Sequence, residues 1–162
     1  MKPLILRCVI ASWLALAAIA ANAGGKVDVS FVQAKDFSDV QSTWMQEQTL
    51  LDGLARHLEM LGEKYLPQAQ VLHIAITDVD LAGSIEHTRR FPEVRVLRDI
   101  TSPSIKLRWS LESAGTASTT TEVSLRDAAY LYHINAYQEG DPLRYEKYML
   151  DDWFRRTFAA PK

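Results

Sequence analysis

Ile105-Lys106-Leu107-Arg108-Trp109-Ser110-Leu111-Glu112 is the stretch that decides the fold. In an extended chain Ile105, Leu107, Trp109 and Leu111 share one side, and Lys106, Arg108, Ser110 and Glu112 the other. One buried face and one wet face is the signature of an antiparallel sheet. Downstream, Ser113 to Thr116 contains Gly115 and reads as a hairpin loop into a threonine-rich strand, Ala117-Thr119-Thr121-Val123-Leu125. Upstream, Val94 to Arg98 makes a short strand that pairs in the same hairpin system. Before it, Leu72, Ile74 and Ile76 alternate with His73, Ala75 and Thr77 and run on through Asp78-Val79-Asp80-Leu81 to Gly83.

Further out the period changes. Trp44, Leu51, Leu54, Leu58, Leu61 and Tyr65 recur at helical spacing from about Ser42 until Pro67. Ser38 with Gln41 and Thr43 with Gln46 each offer a capping box for its start. Val27, Val29 and Phe31 form a first half-buried strand. At the far end Asp141 as N-cap and Pro142 as first helical residue open a helix carrying Leu143, Leu150, Trp153, Phe154 and Phe158. The order strand, helix, four strands, helix predicts an α+β fold: a single, mainly antiparallel sheet of about five strands with two main helices packed on one face.

The N-terminus carries an address. Lys2 and Arg7 precede about fourteen apolar residues, Cys8 to Ala21, and Ala21-Asn22-Ala23 is a cleavage pattern, so residues 1–23 read as a secretory signal peptide cut after Ala23. Residues 24–162 are then one α+β domain, with no later segment long and apolar enough to span a membrane. Cys8 opens the apolar run instead of following it, which argues against a lipid anchor, and it is the only cysteine, so the mature domain stands without disulfides. Losing Lys2 and Arg7 moves the net charge from −2 to about −4, which gives no footprint for nucleic acid.

Three blocks carry a resemblance: DVDLAG (Asp78 to Gly83), VRVLRDI (Val94 to Ile100) and above all DPLRYEKYMLDDWF (Asp141 to Phe154). They resemble a bacterial exported family catalogued as domain of unknown function family 3016, over nearly the whole mature chain. The resemblance implies the periplasm of a Gram-negative bacterium. That family has no established activity, so it lends no site.

Three constellations are candidate sites. Asp78, Asp80, Glu86 and His87 offer oxygen ligands and an imidazole, the chemistry of a metal-assisted hydrolase. Against this, Asp78 and Asp80 share the face of Leu72, Ile74 and Ile76, which reads as a strand leaving the core, and no defined ligand spacing occurs. Arg95, Arg98, Lys106 and Arg108, with Arg89 and Arg90 nearby, make a local basic patch suited to an anionic envelope component; the competing reading is a solvated sheet face. Tyr130, Tyr132 and Tyr137 offer an aromatic lining, against the plainer role of packing a ring while exposing a hydroxyl. The other histidines, His57, His73 and His133, scatter over different elements, and no serine-nucleophile turn exists. Asp141 and Glu146, with Arg155 and Arg156, complement the ends of the last helix. No catalytic residue, cofactor or metal is assigned. The sequence favours a non-enzymatic periplasmic domain binding an envelope protein through its sheet face or tyrosine-rich segment; the alternatives are the metal-assisted hydrolase and a structural or stress-related protein without a specific ligand.

Overall fold

A computed structural model describes residues 24–40, 47–87, 89–90 and 93–159. The signal peptide, Trp44 and the capping boxes that use Gln41, Thr43 and Gln46 lie outside these residues. The chain runs β1 (Lys26–Phe31), α1 (Glu47–Tyr65), β2 (Gln70–Asp80), β3 (Ser84–Glu86), β4 (Val94–Val96), β5 (Ser104–Ser113), β6 (Thr116–Ala117), β7 (Thr121–Arg126) and α2 (Arg144–Phe158). Five strands form one sheet in the order β1-β2-β5, with β6 and β7 both on the far side of β5; β3 and β4 form a separate two-stranded sheet.

The fold is α+β, but its sheet is mixed. β1 runs parallel to β2, Val27 beside Leu72 and Val29 beside Ile74, whereas β2 and β5 are antiparallel over their whole length. Two-residue alternation reports faces and says nothing of direction. Direction follows from α1, which carries the chain back along the sheet before β2 begins and so requires a parallel partner. A second correction concerns Val94 to Arg98. Its paired part, β4, joins β3 and stands apart from the β5 hairpin. That hairpin turns on Ala114 (φ 51°) and Gly115 (φ 78°), the two positive φ values of a tight two-residue loop.

The deepest difference from simple alternation is one residue in β2. Ile76 pairs with Leu107 and Asp78 with Lys106, so Thr77 is an extra residue, a β-bulge. After a one-residue insertion every side chain changes face. Val79 therefore takes the inward place, fully buried beside Ile105, while Asp78 and Asp80 turn to the solvent side. The two aspartates do not continue the Leu72–Ile74–Ile76 line.

That line, with Val27, Ile105 and Leu107, forms the sheet side of the core, and both helices cover it. α1 contributes Leu50, Leu51, Leu54, Leu58 and Leu61, and Gly62 lets it approach β1 closely, since a Cβ there would strike the Val27 side chain. α2 contributes Met149, Leu150, Trp153 and Phe154, with Phe154 packed against Phe158 (4.7 Å between ring centroids) and Tyr65 (6.0 Å). Asp141 caps a turn one step before α2: its Oδ1 accepts from the Leu143 N–H at 2.9 Å, and the helix proper begins at Arg144. The opposite sheet face, bearing Asp28, His73, Lys106, Arg108 and Glu122, is covered by no helix among the described residues.

Candidate functional site

The tyrosine-rich stretch is a loop held from within. Tyr130 is fully buried, its hydroxyl donates to the Arg98 carbonyl at 2.8 Å, and its ring meets Tyr145 edge-on at 4.8 Å. His133 pairs with Asp127 at 3.0 Å and stacks on Tyr148. Asn135 donates to the Arg144 carbonyl and accepts from the Tyr137 N–H, both at 2.9 Å. Tyr137 donates to Asp151 at 2.7 Å, and that carboxylate also takes a 2.9 Å bond from His57. Burial opposes the Asp151 charge, but these two donors outweigh it and hold its pKa below the usual carboxylate range. Burial first, then Asp151, pushes the Tyr137 hydroxyl far above its ordinary value.

What the anchors leave outside is apolar. Leu131, Tyr132 and Ile134 face solvent, Tyr132 at 78 % and Ile134 at 97 % exposure. Neighbouring Ile100, in the segment that receives the Tyr130 hydroxyl, is 76 % exposed. Scattered exposed aliphatic residues need no explanation, but several on one fixed loop do. Of the aromatic candidates, Tyr130 and Tyr137 are anchors and Tyr132 alone is displayed. The aliphatic neighbours Leu131 and Ile134 were not singled out in the sequence; their polar and aromatic neighbours take the interior instead.

The acidic candidates separate. Asp78 accepts from the Ser38 N–H and hydroxyl and from Lys106 at 2.9 Å; burial opposes its charge, but these bonds prevail and lower its pKa. Asp80 sits beside Asp39 through an isolated bridge. Glu86 pairs with Arg98, and His87 is 3.9 Å from Glu93. No three His, Cys, Asp or Glu residues among those described are grouped as a metal would require.

The basic candidates separate too. Lys106 and Arg108 share the uncovered sheet face, opposed by Asp78 and Glu122. Arg95, expected on that face, belongs to the small sheet and points inward. It grips Asp39 with both terminal nitrogens (2.7 and 3.2 Å) and donates to the Ala82 and Gly83 carbonyls. Arg95 is therefore a brace between the small sheet and the end of β2. Glu146, read from sequence as a helix-end charge, is instead wholly buried: its Oε1 accepts from the Ala82 N–H at 2.7 Å and its Oε2 has no partner.

The described residues thus form an α+β fold with both helices on one sheet face and a loop that displays apolar side chains. The family is shown directly: the model described as Protein of unknown function (DUF3016) matches residues 25–156, and the chain belongs to that family. No curated protein and no solved structure matches it. No helix among the described residues is long and apolar enough to cross a membrane.

Proposed function

We propose that this protein is a periplasmic, non-enzymatic binding domain, exported by the signal peptide of residues 1–23, that docks an envelope protein through Leu131, Tyr132 and Ile134. The observation that carries this reading is the partition of the loop: Tyr130, His133, Asn135 and Tyr137 are tied inward while the three apolar side chains face water. A loop fixed before binding loses little conformational entropy on docking, and an exposed tyrosine on a rigid base is a usual anchor of protein interfaces. The fitting partner offers an apolar groove.

A photo-crosslinking residue at position 132, with one at Thr119 as control, tests this in intact cells. We expect one protein adduct from position 132 that L131S with I134S abolishes, and binding of that purified partner weakened at least ten-fold by the same pair, with no change in thermal stability. Equal adducts from both positions, or none, would sink the reading. N-terminal sequencing tests the export claim separately: the expected start is Gly24, and an intact Met1 overturns it.

A further inference from the structure

The outer sheet face carries one row whose two opposite charges form no ion pair. Asp80 on β2 stands opposite Ser104 on β5, which stands opposite Arg126 on β7. Residues paired in this way share a face, so the carboxylate and the guanidinium flank a small serine, their Cα atoms two strand spacings or about 10 Å apart.

The charges around them are accounted for. Asp39 is held by Arg95, and Asp78 by Lys106 and Ser38. Asp80 accepts no hydrogen bond and forms no ion pair among the described residues, and burial, with Asp39 and Asp78 nearby, raises its pKa. Arg126 is oriented but unspent: its Nε donates to the buried Ser102 hydroxyl at 2.9 Å, which fixes the guanidinium plane, while its terminal nitrogens make no ion pair. Asp80 and Arg126 attract each other yet do not meet as an ion pair. Both line a cleft of about 450 Å³ whose other walls include Ser84, Leu81, Ile85 and Ile100.

We infer that this cleft binds a small zwitterion with an apolar side chain, that is, a free α-amino acid of leucine type. Its ammonium answers Asp80, its carboxylate answers the Arg126 fork, and its side chain lies against Leu81, Ile85 and Ile100. A free amino acid carries both charges about 3 Å apart, so one molecule can offer a hydrogen bond to each of two opposite charges that do not pair with each other. A simple anion would meet Asp80 unneutralised, and a simple cation would meet Arg126. The volume suits a small molecule, since ligand clefts begin at about 300 Å³. The site is separate from the loop of the proposed function and stands without it.

The probe is L-leucine, titrated to about 10 mM against amide NMR signals, with N-acetyl-L-leucine and L-leucinamide each lacking one charge. We expect saturable shifts at Gly83, Ser84 and Thr101 with L-leucine and at least ten-fold weaker binding of either analogue. D80N should erase the preference over N-acetyl-L-leucine, and R126Q the preference over L-leucinamide, the coupling that a double-mutant cycle isolates. Absence of saturable shifts, or equal shifts with all three compounds, overturns the assignment, and the wild-type comparison alone decides it if a variant fails to fold. L131S with I134S should leave L-leucine binding unchanged, which keeps this result distinct from the fate of the docking loop.

Discussion

Replacing Glu146 by glutamine tests the energetics of the interior. The carboxyl is wholly buried, and burial pushes its pKa from 4.5 up to about 7, against the pull of the Ala82 N–H, its own backbone N–H and Arg95, with Asp141 adding repulsion. Between those values the unfolded chain has released a proton that the native state still holds, so stability falls as pH rises from about 4.5 to about 7 and is level above. Some 2.5 units at about 1.4 kcal/mol each make the full loss about 3 kcal/mol, of which about 2 to 3 fall between pH 5 and pH 8. In E146Q the side-chain oxygen still accepts from Ala82, and the amide nitrogen takes the place of an oxygen that has no partner in either protein. Packing offsets are the same at both pH values and cancel in the comparison. Urea unfolding of both proteins at pH 5 and pH 8 should show E146Q gaining about 2 to 3 kcal/mol relative to wild type over that interval, of order 10 °C in Tm. A difference that stays constant with pH would refute a titrating buried carboxylate.

Three further expectations follow from packing. Deleting Thr77 removes the extra residue and leaves Ile76 and Val79 inward and Asp78 and Asp80 outward in plain alternation, so the deletion should fold; loss of the wild-type circular dichroism spectrum would disprove the bulge. Phe154→Ala should cost about 3 to 5 kcal/mol in denaturant unfolding, because the ring is fully buried among Tyr65, Trp153 and Phe158, and a cost under about 1 kcal/mol would contradict that packing. Tyr137→Phe removes one donor to Asp151 and should cost about 1 kcal/mol at neutral pH, discounted for the half-exposed carboxylate. Since the folded pKa of Asp151 is depressed, that contribution is present above the unfolded value and disappears as acid protonates the carboxylate; a cost unchanged down to pH 2 would count against the hydrogen bond.

The helices and the β5 alternation were legible because burial imposes a period on the sequence, and the Asp141 turn because capping chemistry is local. The parallel β1–β2 pairing was legible in principle, through the strand-helix-strand order, though not through periodicity. The Thr77 bulge was hidden: threonine suits either face of a strand, and one inserted residue leaves no local mark. Arg95 looked like a surface cation because its partners, Asp39 and two carbonyls from residues 82 and 83, are distant in sequence or part of the main chain. Glu146 hid for the converse reason, since an acid in the first turn of a helix has a ready electrostatic explanation that needs no burial. The loop inverted expectation most. Which of Tyr130, Leu131, Tyr132, His133 and Ile134 faces inward is set by Arg98, Asp127 and Tyr148, not by any period within the segment.

The two surfaces singled out follow from one structural cause. Once the bulge turns the end of β2 outward, its carboxylates leave the core and each needs a cation. Lys106 reaches Asp78 across the strand pair, and Arg95, on the small sheet, reaches Asp39 and in doing so clamps the backbone at Ala82 and Gly83. Ala82 in turn is held by Glu146 of α2, and the neighbouring Arg98 carbonyl takes the Tyr130 hydroxyl, so the end of the sheet, the small sheet, the last helix and the apolar loop are tied into one frame. Within that frame the neighbouring charges Asp39 and Asp78 are paired, so charges that form no ion pair stand out. Asp80 and the free fork of Arg126 are such groups on the polar side, as Leu131, Tyr132 and Ile134 are on the apolar side. A frame this closely bonded keeps both surfaces in place before anything binds, which is the condition under which small contact areas give useful affinity.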